Sequence, residues 1–160
     1  MDHDHEYAVT VVWQGNRGTG TSDYRAYSRA HLVSAAGNSH DIEGSSDRPF
    51  HGDAERWNPE EMLLASLSQC HMLSYLHVCV KRGIVVEAYT DDAIGTMRQE
   101  GDGGRFTSVT LRPRVTISLG DPQDAIDAHD EAERLCFIAN SVNFPVGHEP
   151  TILRSSTAGS

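Results

Sequence analysis

At 160 residues, 38% hydrophobic and 22% charged, the chain has the size and composition of one globular domain, not of a disordered or fibrous segment. A formal net charge of −10 argues against nucleic acid or an anionic membrane surface as partner, since both demand a basic face. No apolar run suggests a membrane span, the acidic residues 1–6 are the opposite of a secretory leader, and three cysteines without an export signal point to a reducing, cytoplasmic setting. Cysteines there act as core residues, metal ligands or redox thiols.

Residues 7–13 alternate, with Tyr7, Val9, Val11 and Trp13 on one face, and read as a strand. Residues 14–22 are rich in Gly, Asn, Thr and Ser and read as a loop. Second and third strands are expected over 24–35 and 38–43, and the polar, irregular stretch 44–57 is the longest candidate for a functional loop. Asn58-Pro59-Glu60-Glu61 is a helix start, with Asn as N-cap, Pro at the first helical position and acids in the first turn. The helix should run to about Arg82 and stop at Gly83. Its apolar positions, from Met62 and Leu63 through Cys70 to Val80, cover most of the circumference, which predicts a buried central helix. A chain this small would struggle to surround such a helix alone, so a dimer is expected.

Residues 84–89 and 93–97 read as one interrupted strand, and Gly101-Asp102-Gly103-Gly104 as a hairpin turn. Residues 106–119 alternate well, with Pro113 marking an edge or bulge. Asp121-Pro122 opens a second helix carrying Ile126, His129, Ala132, Leu135, Cys136 and Ala139 at helical spacing, and a short strand over 151–153 closes the chain. The order β-β-β-α-β-β-α-β makes the fold class α+β. Residues 1–160 are expected to form a single domain, divided into N-terminal strands and loop (1–57), central helix (58–83), strand pair (84–120), and second helix with final strand (121–160).

The run Asn58-Pro59-Glu60-Glu61-Met62-Leu63-Leu64-Ala65-Ser66-Leu67-Ser68-Gln69-Cys70 resembles the central-helix motif of the OsmC/Ohr family of organic hydroperoxide reductases. Ala132-Glu133-Arg134-Leu135-Cys136-Phe137-Ile138-Ala139-Asn140-Ser141 resembles that family's second-cysteine motif, and the 66 residues between Cys70 and Cys136 suit it. The match runs from about Asn58 to the C-terminus; the first fifty-odd residues match only in strand pattern. The resemblance implies an intertwined homodimer whose antiparallel sheets wrap two long central helices, with active sites at the subunit interface. It implies a thiol-dependent peroxidase of organic hydroperoxides, in which one thiolate becomes a sulfenic acid, the other cysteine closes a disulfide, and an external thiol reductant resets the pair. No cofactor and no metal are implied.

A free thiol with a pKa of about 8.5 is only a few per cent thiolate at neutral pH, so Cys70 needs a nearby cation. In the family that cation is an arginine from the N-terminal half, held by the motif glutamate, which matches Glu60. Arg48, Arg25 and Arg17 are the candidates; spacing to the Asn-Pro-Glu motif favours Arg48, then Arg25, with Arg17 last. Glu60 and Cys70 are ten residues apart, roughly 15 Å along one helix, so a shared site needs Glu60 from another subunit. An acid in the first turn also serves the helix dipole, and Glu61 reads as solvated helix start. Cys79 has no motif around it and reads as core. His71 and His77 read as interior or interface histidines, and no Cys-x-x-Cys or His-x-x-x-His spacing supports zinc. Leu67, Met72, Leu73, Phe137 and Phe144 suggest apolar walls suited to an organic peroxide. The competing reading is a non-catalytic OsmC-like dimer that senses redox state or binds a small apolar ligand.

Overall fold

The computed structural model describes residues 2–156, which fall into two compact units, Met1–Met62 and Leu63–Ser160. The first unit holds an antiparallel meander of three short strands, β1 (Thr10–Trp13), β2 (His31–Ser34) and β3 (Ile42–Gly44), in that order. The strand expected over 24–35 forms only in its last third. Residues 24–30 have other partners: the Arg29 guanidinium donates to the Tyr24 and Tyr27 carbonyls at 2.7 and 3.0 Å, and Trp13 Nε1 donates to the Ser28 carbonyl at 2.9 Å. Backbone pairing with the chain after β1 continues only in part, through Gln14 N–H to Ala30 O at 2.8 Å, Ser28 N–H to Gly15 O at 2.9 Å and a bridge between Asn16 and Tyr27, with these side-chain bonds beside it. Gly15 permits the crossing, since a Cβ there would lie 1.7 Å from the Ser28 oxygen. The loop over 44–57 contains one 3-10 turn, Arg48–Phe50, started by Asp47, whose side chain accepts the Arg48 N–H at 2.7 Å. Its ends are tied together by Ser45 N–H to Trp57 O and Trp57 N–H to Glu43 O.

Helix α1 spans Pro59–Arg82 and stops at Gly83, whose φ of 68° is left-handed, as the sequence indicates. Its N-terminus is a capping box: Asn58 Oδ1 accepts the Glu61 N–H at 2.8 Å, and Glu61 Oε2 accepts the Asn58 N–H at 3.4 Å. The capping acid is therefore Glu61 and not Glu60.

The second unit adds β4 (Val85–Asp91), β5 (Ile94–Glu100), β6 (Gly103–Leu111), β7 (Pro113–Leu119), α2 (Pro122–Leu135), β8 (Val146–His148) and β9 (Thr151–Arg154). The expected interrupted strand is two strands in different sheets, one ordered β4-β7-β9 and the other β5-β6-β8. The long strand over 106–119 is likewise shared between sheets. Pro113 has no N–H to give, and the Arg112 N–H leaves the ladder for Asp91 Oδ1 at 2.7 Å. Both sheets are mixed and not antiparallel throughout, because β8 and β9 join β6 and β7 in parallel. The β8 strand, three residues after a proline, carries too short a pattern to read from sequence.

The two halves of α1 pack against different sheets. Leu63, Leu64 and Leu67 join Val109 and Leu111 in one core, while Tyr75, Val78 and Cys79 join Val115, Ile117 and the alanines of α2 in another. Burial is not all round, contrary to the sequence reading. Gln69, Leu73, His77 and Val80 form an exposed stripe at helical spacing, with Leu73 60% and Val80 79% accessible. Contrary to the expectation from sequence, α1 is also long and apolar enough to cross a membrane by length and composition. Its contacts with two protein cores are those of a central helix of a globular fold.

Candidate active site

Cys70 lies half-buried on α1, between the two core patches and about 65° around the helix from the exposed stripe. Cys136 is 1% exposed. The sequence places it inside α2, but the helix ends at Leu135 and Cys136 caps it with extended backbone (φ −70°, ψ 109°). That turn aims the thiol inward, where its sulfur accepts the Ala139 N–H at 3.5 Å and lies near enough to the Cys70 thiol for the two to affect each other's ionisation. All three cysteines are free thiols.

Burial, and then the Cys70 sulfur beside it, push the Cys136 thiol up to about 11; the Ala139 and Ile138 N–H groups offset only part of this. Cys136 is therefore a protonated donor at neutral pH, poised on a neighbouring sulfur that is more accessible than itself. Cys79 is a packing residue as expected, buried against Tyr75, with burial raising its thiol as well.

Glu60 is half-buried, and its carboxylate makes no hydrogen bond or ion pair with the described residues. Arg48 is exposed on the 3-10 turn, and its guanidinium has no side-chain partner among the described residues. Arg25 instead lines a cavity of about 600 Å³ within the first unit, with Arg17 and two arginines the sequence reading passed over, Arg29 and Arg56. A signal for these was available: Arg29 closes the run Tyr24-Arg25-Ala26-Tyr27-Ser28-Arg29, in which arginines alternate with aromatic and small residues, and Arg56 directly precedes Trp57-Asn58-Pro59. Of the apolar walls expected near the thiols, Leu67 is in the core and Phe144 packs on it, whereas Leu73 and Phe137 face solvent, Phe137 at 77% exposure.

His71 is buried and bonds His129, Nε2 to Nδ1 at 2.9 Å, as its reading as a satisfied interior histidine requires. His129 stacks on Tyr75 at 3.8 Å between ring centres, and His148 stacks on His71 at 5.6 Å, its Nε2 3.0 Å from Asp130 and its Nδ1 3.7 Å from Glu133. Desolvation, then repulsion from His148, lowers His71 to about 4; desolvation, then His71 and His148, lowers His129 to about 3. Both rings are neutral at pH 7 and unavailable as cations for a thiolate. His77 is exposed on the stripe.

An α+β fold with a capped central helix and two facing thiols defines a class of protein, and the chain belongs to the OsmC-like protein family, whose family model matches residues 52–149. It is similar to an OsmC-like protein of unknown function from Vibrio cholerae O1 biovar eltor, with 34% identity, 92% of this chain and 100% of that one covered, and a TM-score of 0.83. An organic hydroperoxide resistance protein from Elizabethkingia anophelis shares the fold at TM-score 0.64 and 18% identity, over 96% of this chain and 100% of that one. The uncharacterized Bacillus subtilis protein YmaD is 22% identical over 143 residues, 87% of each chain.

Proposed function

We propose that the protein is a thiol-dependent peroxidase that reduces organic hydroperoxides to alcohols, with Cys70 as nucleophile and Cys136 as resolving thiol. The observation that carries this reading is the proximity of two free thiols 66 residues apart in sequence, one half-buried and one fully buried, close enough for Cys70 to shift the ionisation of Cys136. The Cys70 thiolate attacks the terminal peroxide oxygen, the O–O bond breaks, and the alkoxide leaves with a proton as alcohol, giving Cys70 sulfenic acid. The Cys136 thiol then displaces that hydroxyl as water and forms the Cys70–Cys136 disulfide. Two equivalents of an external thiol return both cysteines to thiols and carry away the oxidising equivalents as a second disulfide.

The division of roles follows from access: peroxide reaches the half-buried sulfur first, and Cys136 stays protonated and shielded until a sulfenic acid forms beside it. Glu60 cannot reach the Cys70 of its own chain, roughly 15 Å along the helix, so Glu60 and an arginine, Arg25 or Arg48, act from the second subunit of a homodimer. The exposed Leu73 and Val80 support that dimer, since large apolar side chains left bare on a central helix are covered when a partner packs there. We place the enzyme in the cytoplasm, where a thiol reductant is available.

The test is to add one equivalent of cumene hydroperoxide to reduced protein and follow thiols and peroxide together. Two of the three thiols should disappear per chain, as a Cys70–Cys136 disulfide by peptide mass mapping. If the Cys70→Ser protein consumes peroxide as fast as the parent, the proposal fails. If the parent forms the disulfide but shows no turnover with any dithiol, the protein is a redox sensor instead.

A further inference from the structure

The arginine cavity of the first unit, which includes Arg25, holds more cations than the activation of one thiolate requires. Four arginines, Arg17, Arg25, Arg29 and Arg56, line it with Asp53, and Glu43 pairs with Arg56, leaving a local charge of about +2 in a chain whose net charge is −10. Surface arginines in an acidic protein ordinarily find carboxylates, and these mostly do not. Among the described residues only Arg56 of the four has acidic side-chain partners, Glu43 at 3.6 Å and Asp53 at 3.9 Å, both long, and its Nη1 is buried with no partner. Arg17 reaches only the Arg25 carbonyl, at 3.4 Å. Arg29 is fixed by the Tyr24 and Tyr27 carbonyls and by the face of the Tyr27 ring, 4.0 Å from its guanidinium carbon. Carbonyls and a ring face hold a guanidinium in place without neutralising it. The result is a set of cations preorganised around an open volume, with unused donors.

We propose that this cavity binds a pyrophosphate-bearing ligand through Arg17, Arg25, Arg29 and Arg56. A monocarboxylate would use one guanidinium fork and leave the rest unpaired, whereas a pyrophosphate carries several negative charges and offers enough oxygens for several forks. The cavity, at about 600 Å³, exceeds what the inorganic anion fills, and one wall carries Tyr24 stacked on His51, with ring centres 6.1 Å apart and planes 20° from parallel. That wall provides a flat aromatic surface for an organic group attached to the diphosphate, such as a nucleoside. Both sources share the diphosphate recognition, and they differ in whether the aromatic wall is used. The proposal shares Arg25 with one of the two arginine assignments of the peroxidase reading and otherwise does not rest on it.

The test is isothermal titration of the intact protein with inorganic pyrophosphate and, separately, with ADP, at 0.05 and 0.15 M KCl. At least one should bind with a dissociation constant below about 100 μM at the higher salt, more tightly at the lower, as release of ions from several arginines requires. Arg25→Gln and Arg17→Gln remove exposed side chains, and each should weaken binding at least tenfold with the thermal midpoint of the free protein unchanged. ADP binding more tightly than pyrophosphate, with the advantage abolished in Tyr24→Ala, assigns the organic source; equal affinities assign the diphosphate alone. Failure of both probes to bind, or binding indifferent to both arginine variants, overturns the proposal. The Cys70→Ser protein should bind as the parent does, so a failed peroxidase assay and a failed titration remain separate results.

Discussion

Stability should fall steeply between pH 7 and pH 5, and the cause is the buried histidine pair. His71 and His129 are held at about 4 and about 3, against an ordinary value near 6.5 that they regain on unfolding. A base whose folded pKa is depressed binds its proton more readily in the unfolded chain, so stability is full above about 6.5 and is lost as pH falls towards the folded values. At pH 7 the two states differ little in bound protons. At pH 5 the unfolded chain carries nearly two protons that the native protein refuses. At 1.36 kcal/mol per unit for each ring, the loss from pH 7 to pH 5 comes to about 4 kcal/mol. That is a large share of the 5–15 kcal/mol typical of a domain. Carboxylates with ordinary values titrate mostly below this window, which isolates the histidines. Urea unfolding followed by tryptophan fluorescence at pH 7, 6 and 5 gives the free energies. His129→Gln, neutral throughout, should remove about half of the slope. A fall of under about 1 kcal/mol, or imidazole resonances of both rings titrating near 6.5 by NMR, would refute the burial argument.

Iodoacetamide at pH 8 should alkylate Cys70 in native protein while sparing Cys136, whose thiolate fraction is about a thousandth with a pKa near 11; equal labelling of the two counts against the assigned burial. Asp91→Asn weakens two contacts, the Ser68 hydroxyl at 2.5 Å and the Arg112 N–H at 2.7 Å, and should lower the unfolding free energy by about 1–3 kcal/mol in chemical denaturation. Tyr75→Phe removes the buried hydrogen bond to the Ala125 carbonyl, 2.9 Å long, for a loss of about 1–2 kcal/mol, read the same way. Leu73→Asp with Val80→Asp should shift the protein to monomer mass in light scattering and abolish peroxide turnover together; a monomeric variant with full activity excludes the cross-subunit role of Glu60.

Much of the second unit was legible because its signals are local. The Asn58-Pro59 and Asp121-Pro122 starts and the Gly83 stop each act within a turn of chain, and each sits where expected. Long-range partition was not legible. Nothing in the alternation of residues 106–119 announces that one strand serves two sheets, since the departure at Arg112 depends on a carboxylate 21 residues away. In the first unit, Arg29 draws the carbonyls of residues 24 and 27 out of the strand that their side chains suggest. The thiol pair was legible as two motifs, but the turn aiming Cys136 at Cys70 was not, because helical spacing continues through Cys136 while the backbone leaves the helix there. Glu60 and Glu61 were distinguishable only once the cap geometry assigned the box to Glu61.

Asp91 has one more consequence, a mechanical one. Its two oxygens engage the Ser68 hydroxyl on α1 and the Arg112 N–H at the point where the β6–β7 chain changes sheets. Ser68 is two residues from Cys70, so this single carboxylate pins the axial position of the helix to the corner of the sheets. Sliding α1 by one residue would carry Cys70 1.5 Å along its axis and swing it about 100° around it, away from Cys136. Asp91 thus acts as a stop against screw motion, and the alignment of the two sulfurs is set by a residue that touches neither.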